Sequence, residues 1–288
     1  MTTDIHGFHH TGIVTRDLDG LADRFTSFGF SLSPRSRHLL GARPGEPPVY
    51  GCTANQCALF GGSYVELLGV VDESAPDPWH TKQMGEGFRL LNFDSHDAET
   101  TQARLTATGL PNSGVLELER DVDTEAGTRT VRARAVHLDP DSTPEGYLGI
   151  AQHLTRQYVH QRRHLDHPNG ACGLGAVLVV AEDDGFDAMV DRYARLLATV
   201  PDHRGPTAVL DLPGGEVRII RASDADEVLP GEPAPAPSYL AAMTILVDDV
   251  AYARRIVDDT GTATRSTGTG FFVSAQDTYG AGLFFTTP

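Results

Sequence analysis

Cysteine is scarce in this chain: 288 residues contain three, Cys52, Cys57 and Cys172. An odd, sparse set does not make a disulfide framework, and it fits a reducing, cytoplasmic setting. Cys52 and Cys57 stand close enough to suggest zinc, but no second pair matches them, so they read as small buried apolar residues. Positive charge is also short. Lys and Arg number 23 against 39 Asp and Glu, a formal net charge of −16. That balance argues against a nucleic-acid or anionic-membrane surface. There is no apolar run of roughly eighteen residues, so no helical membrane span is expected. The opening MTTDIHGFHH lacks the basic and apolar regions of a secretory signal. Nucleotide-binding P-loops, a GxGxxG turn after a strand and a GxSxG nucleophile elbow are missing as well.

What is present is repetition. Four segments open alike: GFHHTGIVTRDLDGLADRFTSFGF from Gly7, GFRLLNFDSHDAETTQARLTATGL from Gly87, GLGAVLVVAEDDGFDAMVDRYARLL from Gly173 and YLAAMTILVDDVAYARRIVDDTG from Tyr239. Each is a short apolar, β-like run, an acidic turn, then a stretch of helical period. The turns (Asp17 and Asp19, Asp97 and Glu99, Asp183 and Asp184, Asp248 and Asp249) suit helix N-termini, where a carboxylate meets free N–H groups and the positive end of the dipole. Gly29 and Gly109 follow the first two helices as C-caps would. The four segments also close alike, with a glycine turn and one more strand: GGSYVELLGVV, EGYLGIAQHLTR, PGGEVRIIRAS and YGAGLFFTTP. Short strand-like pieces such as Val131 to Val136 and Thr207 to Leu212 lie between. The repeat is β-α-β-β-β, about 50 to 85 residues long. Stretches around Ser36 to Pro48 and Pro76 to Gly85 read as loop insertions in the first two copies.

The expected fold class is therefore α+β, with four βαβββ modules paired into two curled-sheet domains. Residues 1–157 form the first pair and residues 173–288 the second. The polar segment 158–172 joins them, and the proline-rich Leu229 to Pro237 joins copies three and four as a stiff, extended piece.

This arrangement resembles the vicinal oxygen chelate superfamily of glyoxalases, bleomycin-resistance proteins and extradiol dioxygenases. The resemblance runs from about Phe8 to Pro288 and rests on HHTGIVTRDLDG, on SYVELLG and, for a narrower glyoxalase-like subgroup, on IAQHLTR followed by HPNGA. It implies curled sheets around a divalent metal, with ligands from the first and last strands of modules. Position by position, it points to His10, Glu66 and His153 as metal ligands. Strand alternation is expected to turn His9 away from the cavity that His10 faces. The remaining family position falls near Arg89 or Leu90, neither a ligand; Arg89 could instead pair with a substrate carboxylate as a catalytic-site residue. The matching C-terminal positions (Gly175 or Ala176, Arg218, Ala242, Phe284 or Phe285) offer no ligand, so that pair reads as structural, unlike in extradiol dioxygenases and hydroxyphenylpyruvate dioxygenase.

Two imidazoles and a carboxylate leave coordination sites free for a substrate and for water or dioxygen. Fe(II) suits that set best; Mn, Co, Ni or Zn can also occupy it. An ionised Glu66 among Val65, Leu67 and Leu68 needs a partner or a metal. The resemblance thus implies a metal-dependent enzyme on a small oxygenated metabolite, dioxygenase-like or of the glyoxalase isomerase or lyase type. A cavity that sequesters a small drug without turnover is the alternative. Trp79, His80 and Tyr50 are candidates for a lid, and His167 in HPNG for a structural junction. The expected partner is a small molecule; a homodimer is left open.

Overall fold

The computed structural model describes residues 4–288. Four modules follow one another, each a strand, a helix and three strands. The first holds β1 (Ile5–Thr15), α1 (Leu18–Ser27), β2 (Ser36–Leu40), β3 (Val49–Leu59) and β4 (Tyr64–Val70). The second holds β5 (Gly87–Ser95), α2 (Ala98–Ala107), β6 (Leu116–Thr124), β7 (Gly127–His137) and β8 (Tyr147–His153). After the short helix α3 (Arg156–Val159), the third holds β9 (Ala171–Ala181), α4 (Phe186–Leu197), β10 (Asp202–Arg204), β11 (Thr207–Leu212) and β12 (Gly215–Arg221). The fourth holds β13 (Tyr239–Val247), α5 (Val250–Asp258), β14 (Thr264–Ser266), β15 (Gly270–Val273) and β16 (Gly282–Thr286). No helix among the described residues is long and apolar enough to cross a membrane.

The acidic turns act as read. Asp17 accepts from the Gly20 N–H, Asp97 from Glu99 and Thr100, and Asp249 from Tyr252, each satisfying free donors at a helix start. The third copy differs: Asp183 opens a 3-10 turn, and its carboxylate accepts from the Ser223 N–H. Gly29 and Gly109 take positive φ, +82° and +73°, as residues just past a helix end do.

The first two modules form a closed barrel in the order β1-β4-β3-β2-β6-β7-β8-β5. Closure depends on β2, which pairs with β6 through only two residue pairs, Leu39 with Glu119 and Leu40 with Leu118. One more bond, from the Gly41 N–H to the Glu117 carbonyl, extends the seam. The stretch from Ser36 is therefore not simply an inserted loop. Its first five residues are the strand that shuts the barrel, and the hydrophobic signal of SRHLL was too short to reveal it. The other two modules form an open eight-stranded sheet, β10-β11-β12-β9-β13-β16-β15-β14.

The halves pack back to back over one continuous apolar core. Phe30 of the first module lies 6.3 Å from Phe285 of the fourth, ring centre to ring centre, and the Thr11 hydroxyl reaches the Met243 sulfur at 3.3 Å. Segment 158–170 is docked rather than loose. His167 accepts from the Ser31 N–H at 3.0 Å and faces the Leu59 carbonyl at 2.9 Å, while the fully buried Asn169 donates to the Phe28 carbonyl. HPNG is thus a structural junction.

Two charged side chains stitch the halves together. Arg104 of α2 donates to the Arg195 and Leu196 carbonyls at the end of α4, capping orphan acceptors at the negative end of that helix. Arg192 of α4 pairs at 2.5 Å with Glu145, whose side chain is fully buried. Removing one member of a buried pair leaves a charge without a partner. Arg192→Met should therefore destabilise the protein by about 3–5 kcal/mol, whereas Arg192→Met with Glu145→Leu should recover most of that loss. Urea denaturation of the single and double variants checks this; equal losses in both would refute it.

Candidate functional site

The barrel interior is polar at its centre. Its cavity, of about 70 Å³, is lined by His9, His10, His38, His137 and His153, by Glu66 and by Arg120, with Asn55 and Asn92 beside them. Glu66 comes from β4, in parallel register with β1 opposite Gly12, and its side chain is 9% exposed. Asn55 on β3 donates to one carboxylate oxygen at 2.5 Å. The His10 Nε2 lies 3.6 Å from the other oxygen, and the His38 Nε2 lies 3.6 Å from the oxygen that Asn55 holds. His38 is held in place by the Thr53 hydroxyl at 3.0 Å.

His10 and Glu66 thus come together as the sequence suggested, and His153 lines the same cavity. His153 lies farther along. Parallel registers pair Tyr64 with His10 in one module and Tyr147 with Leu90 in the other, so the counterpart of Glu66 on β8 is Gly149, and His153 lies four residues beyond it. Its ring packs 4.3 Å from His9. It also borders a surface cleft lined by His6, Asp94, His96 and Arg156, so it stands between the barrel interior and solvent.

The expectation that His9 turns away is corrected. Both His9 and His10 line the cavity, because β1 carries register shifts against β5 between Ile5, Phe8 and His10. A bulge suspends strict alternation, so neighbouring side chains can share a face. Their Nδ1 atoms are 2.7 Å apart, so one ring carries the proton between them. Asn92 Nδ2 lies 3.1 Å from the His10 Nε2. With Asn92 donating there, His10 protonates on Nδ1 and donates to His9, leaving the His9 Nε2 as a donor. That atom and the His153 Nδ1 are buried without a hydrogen-bond partner.

Arg89 does not line the barrel. The adjacent Leu90 does, whereas Arg89 faces a separate cleft of about 280 Å³ at the junction with the C-terminal sheet. Trp79 closes one end of the barrel, its ring 4.5 Å from His137 and its N–H on the Gly41 carbonyl; His137 in turn contacts the Tyr147 hydroxyl at 2.5 Å. Tyr50 and His80 are exposed and take no part in that closure. Cys52 and Cys57 are buried, and burial pushes their thiols up to about 11 and about 12. Sequence reasoning missed His38, Asn55, Asn92, Arg120 and His137. The available signal was a polar residue spaced two from apolar ones within a strand-like run, as at His38 and Leu40 or Asn55 and Cys57.

Among the described residues, no three His, Cys, Asp or Glu side chains gather at the spacing of a metal shell. The donor chemistry still fits a divalent first-row ion: neutral imidazoles, a carboxylate and the orphaned Nδ1 of His153. Burial holds His10, His38 and His137 down at about 3 and pushes His9 and His153 well below the ordinary range, with neighbouring charged groups adding to the effect for all but His137. Burial raises Glu66, while the Asn55 hydrogen bond and Arg120 oppose the rise.

These shifts make a stability prediction. An unfolded histidine takes up a proton near pH 6.5, whereas folded His10, His38 and His137 refuse it down to about 3. Their contribution is complete above pH 6.5 and is lost as pH falls through that window; Glu66, shifted upward, acts in the opposite sense as a single group. Metal-stripped protein should lose stability steadily from pH 7 to 5 in urea titrations, and His38→Gln with His137→Gln should flatten the slope. A flat wild-type profile would refute this.

A family model described as a glyoxalase-like domain matches residues 8–197. No curated protein matches the chain. A hypothetical protein from Staphylococcus aureus shares the fold with a TM-score of 0.62 and 13% identity, covering 96% of this chain and 98% of its own. A 4-hydroxymandelate synthase variant from Streptomyces coelicolor does so at 0.58 and 13% identity, over 98% of this chain and 93% of its own. A xylose isomerase-like TIM barrel/4-hydroxyphenylpyruvate dioxygenase fusion protein matches at 0.58 and 11%, over 100% of this chain and 50% of its own. With four βαβββ modules, a closed N-terminal barrel and a family match over most of its length, the chain belongs to the glyoxalase-like domain family.

Proposed function

We propose that the N-terminal barrel is the active site of a metal-dependent enzyme acting on a small oxygenated metabolite. The observation that supports this reading best is the buried Glu66 carboxylate with imidazoles His10 and His38 at its two oxygens. His10 and Glu66 would hold a divalent ion, with the third ligand either His153, which lines the same cavity, or His38, which lies at the carboxylate. Fe(II) is favoured; Mn, Co, Ni or Zn are alternatives. The ion would supply Lewis acidity and a template for a chelating substrate.

The chain's own residues prepare that chemistry. Asn55 orients Glu66, Thr53 fixes His38, and Asn92 sets the tautomer of His10. Trp79 and the His137–Tyr147 contact shield one end from water. A cavity of about 70 Å³ has room for several waters or a small chelating group, whereas drug-sized sites run to about 300–1,000 Å³; this favours catalysis over drug sequestration. A second reading, proton transfer beside a chelated carbonyl, is favoured by the upward shift of Glu66, since a carboxylate raised by burial is a stronger base.

Protein purified without chelators should carry about one equivalent of transition metal, falling at least about tenfold in His10→Ala and Glu66→Ala with unchanged circular dichroism. Comparing His38→Ala with His153→Ala identifies the third ligand. Oxygen uptake after anaerobic Fe(II) reconstitution supports an oxygenase. Metal binding with exchange of a substrate carbon-bound proton, but no oxygen uptake, supports the isomerase or lyase. Metal-free protein that takes up no ion from any of the five metals refutes the proposal.

A further inference from the structure

A second cavity, larger than the one in the barrel, lies outside it. It sits where β5 meets the concave face of the open sheet, with a volume of about 280 Å³. Tyr239 and Ala241 of β13 and Phe272 of β15 line the sheet side; Leu229, Pro233 and Pro235 line the opposite side. The proline-rich segment between modules three and four is therefore also a stiff wall, and little entropy is lost in keeping the cavity formed. Where the modules meet, Gly87 and Gly280 have positive φ (+110° and +90°), and a Cβ on Gly280 would come within 2.9 Å of the Gly87 Cα. The cavity edge thus depends on direct backbone contact.

The polar groups are unequal. Glu86 accepts from the Arg16 N–H at 2.6 Å and from the Thr15 hydroxyl at 3.4 Å. Glu232 accepts from the Ser274 hydroxyl and the Ala275 N–H, both at 3.0 Å, and lies 4.0 Å from Arg265. Both carboxylates have donors of their own, Glu86 through one oxygen only. Arg89 has a single partner, the Glu86 carbonyl, which its Nε reaches at 3.0 Å, and none of the ion pairs among the described residues includes it. Arg89 is half-buried and lines the cavity together with the apolar wall, its two terminal nitrogens have no hydrogen-bond partner among the described residues, and burial lowers its pKa. A carboxylate is the group whose paired oxygens match that fork.

We propose that this inter-module cleft is a second small-molecule site, separate from the barrel, that binds a monocarboxylate with an apolar body, its carboxylate on Arg89 and its body against Tyr239, Phe272 and Pro233. Calorimetry with phenylacetate and octanoate, against the neutral phenylacetamide and octanamide, tests it on the full-length protein. Carboxylates should bind at least about tenfold tighter than the amides, and Arg89→Gln should remove that preference. Ala241→Phe, which fills the cavity, should weaken all four probes. Glu66→Ala should leave these affinities unchanged, so this result stands or falls independently of the barrel chemistry. Equal binding of acid and amide, or undiminished carboxylate affinity in Arg89→Gln, would overturn the proposal.

Discussion

An ionised carboxylate inside a β-barrel costs several kcal/mol unless its lone pairs are met, and the residues around Glu66 are arranged about that cost. Asn55 meets one oxygen directly, and that same amide accepts from the buried Arg120 through its other end. Two imidazoles stand beyond hydrogen-bond reach, each 3.6 Å from one oxygen. Those imidazoles are neutral because the barrel excludes water and Arg120 lies near. Neutral imidazole is also the form that offers a lone pair to an electrophile. The burial that makes Glu66 expensive thus keeps its neighbours chemically available.

The repeat was legible because each module announces itself locally. An acidic cap, a helical period and a glycine turn are short-range signals, and three of the four acidic turns became side-chain caps. The site was legible only in part, because it depends on long-range register. His10 and Glu66 met as expected, since both lie in clear β-runs of one module. The bulge before His10 could not be seen, because a bulge is a relation between two strands. The displacement of His153 from the Glu66 counterpart emerges only when β5 and β8 are paired in register. His38 is hidden in a stretch that reads as an insertion, and which of Arg89 and Leu90 lines the barrel is decided only by the pairing of β5 with its neighbours.

One repeat unit builds two different objects here. In the first half, β2 and β6 span five and nine residues, enough to meet and close. In the second, the corresponding β10 and β14 are three residues each and remain apart at the sheet edges. Short edges carrying Asp202, His203 and Arg204 discourage pairing with other chains. The open sheet covers its concave side instead with Leu229, Val228 and Ala236 from the proline-rich crossing and the turn before it. Leu178, Val180 and Phe272 occupy that side, where the barrel carries its histidines and Glu66.

The two rungs between β2 and β6 have a mechanical meaning. Neighbouring strands elsewhere in the barrel are held by longer ladders, six residue pairs between β1 and β4 and nine between β6 and β7. Local opening follows the least protected hydrogen bonds. The seam is therefore the zipper of the barrel: parting it exposes His38 and Arg120 while the β1–β5 junction, and with it the docking of the two halves, stays intact.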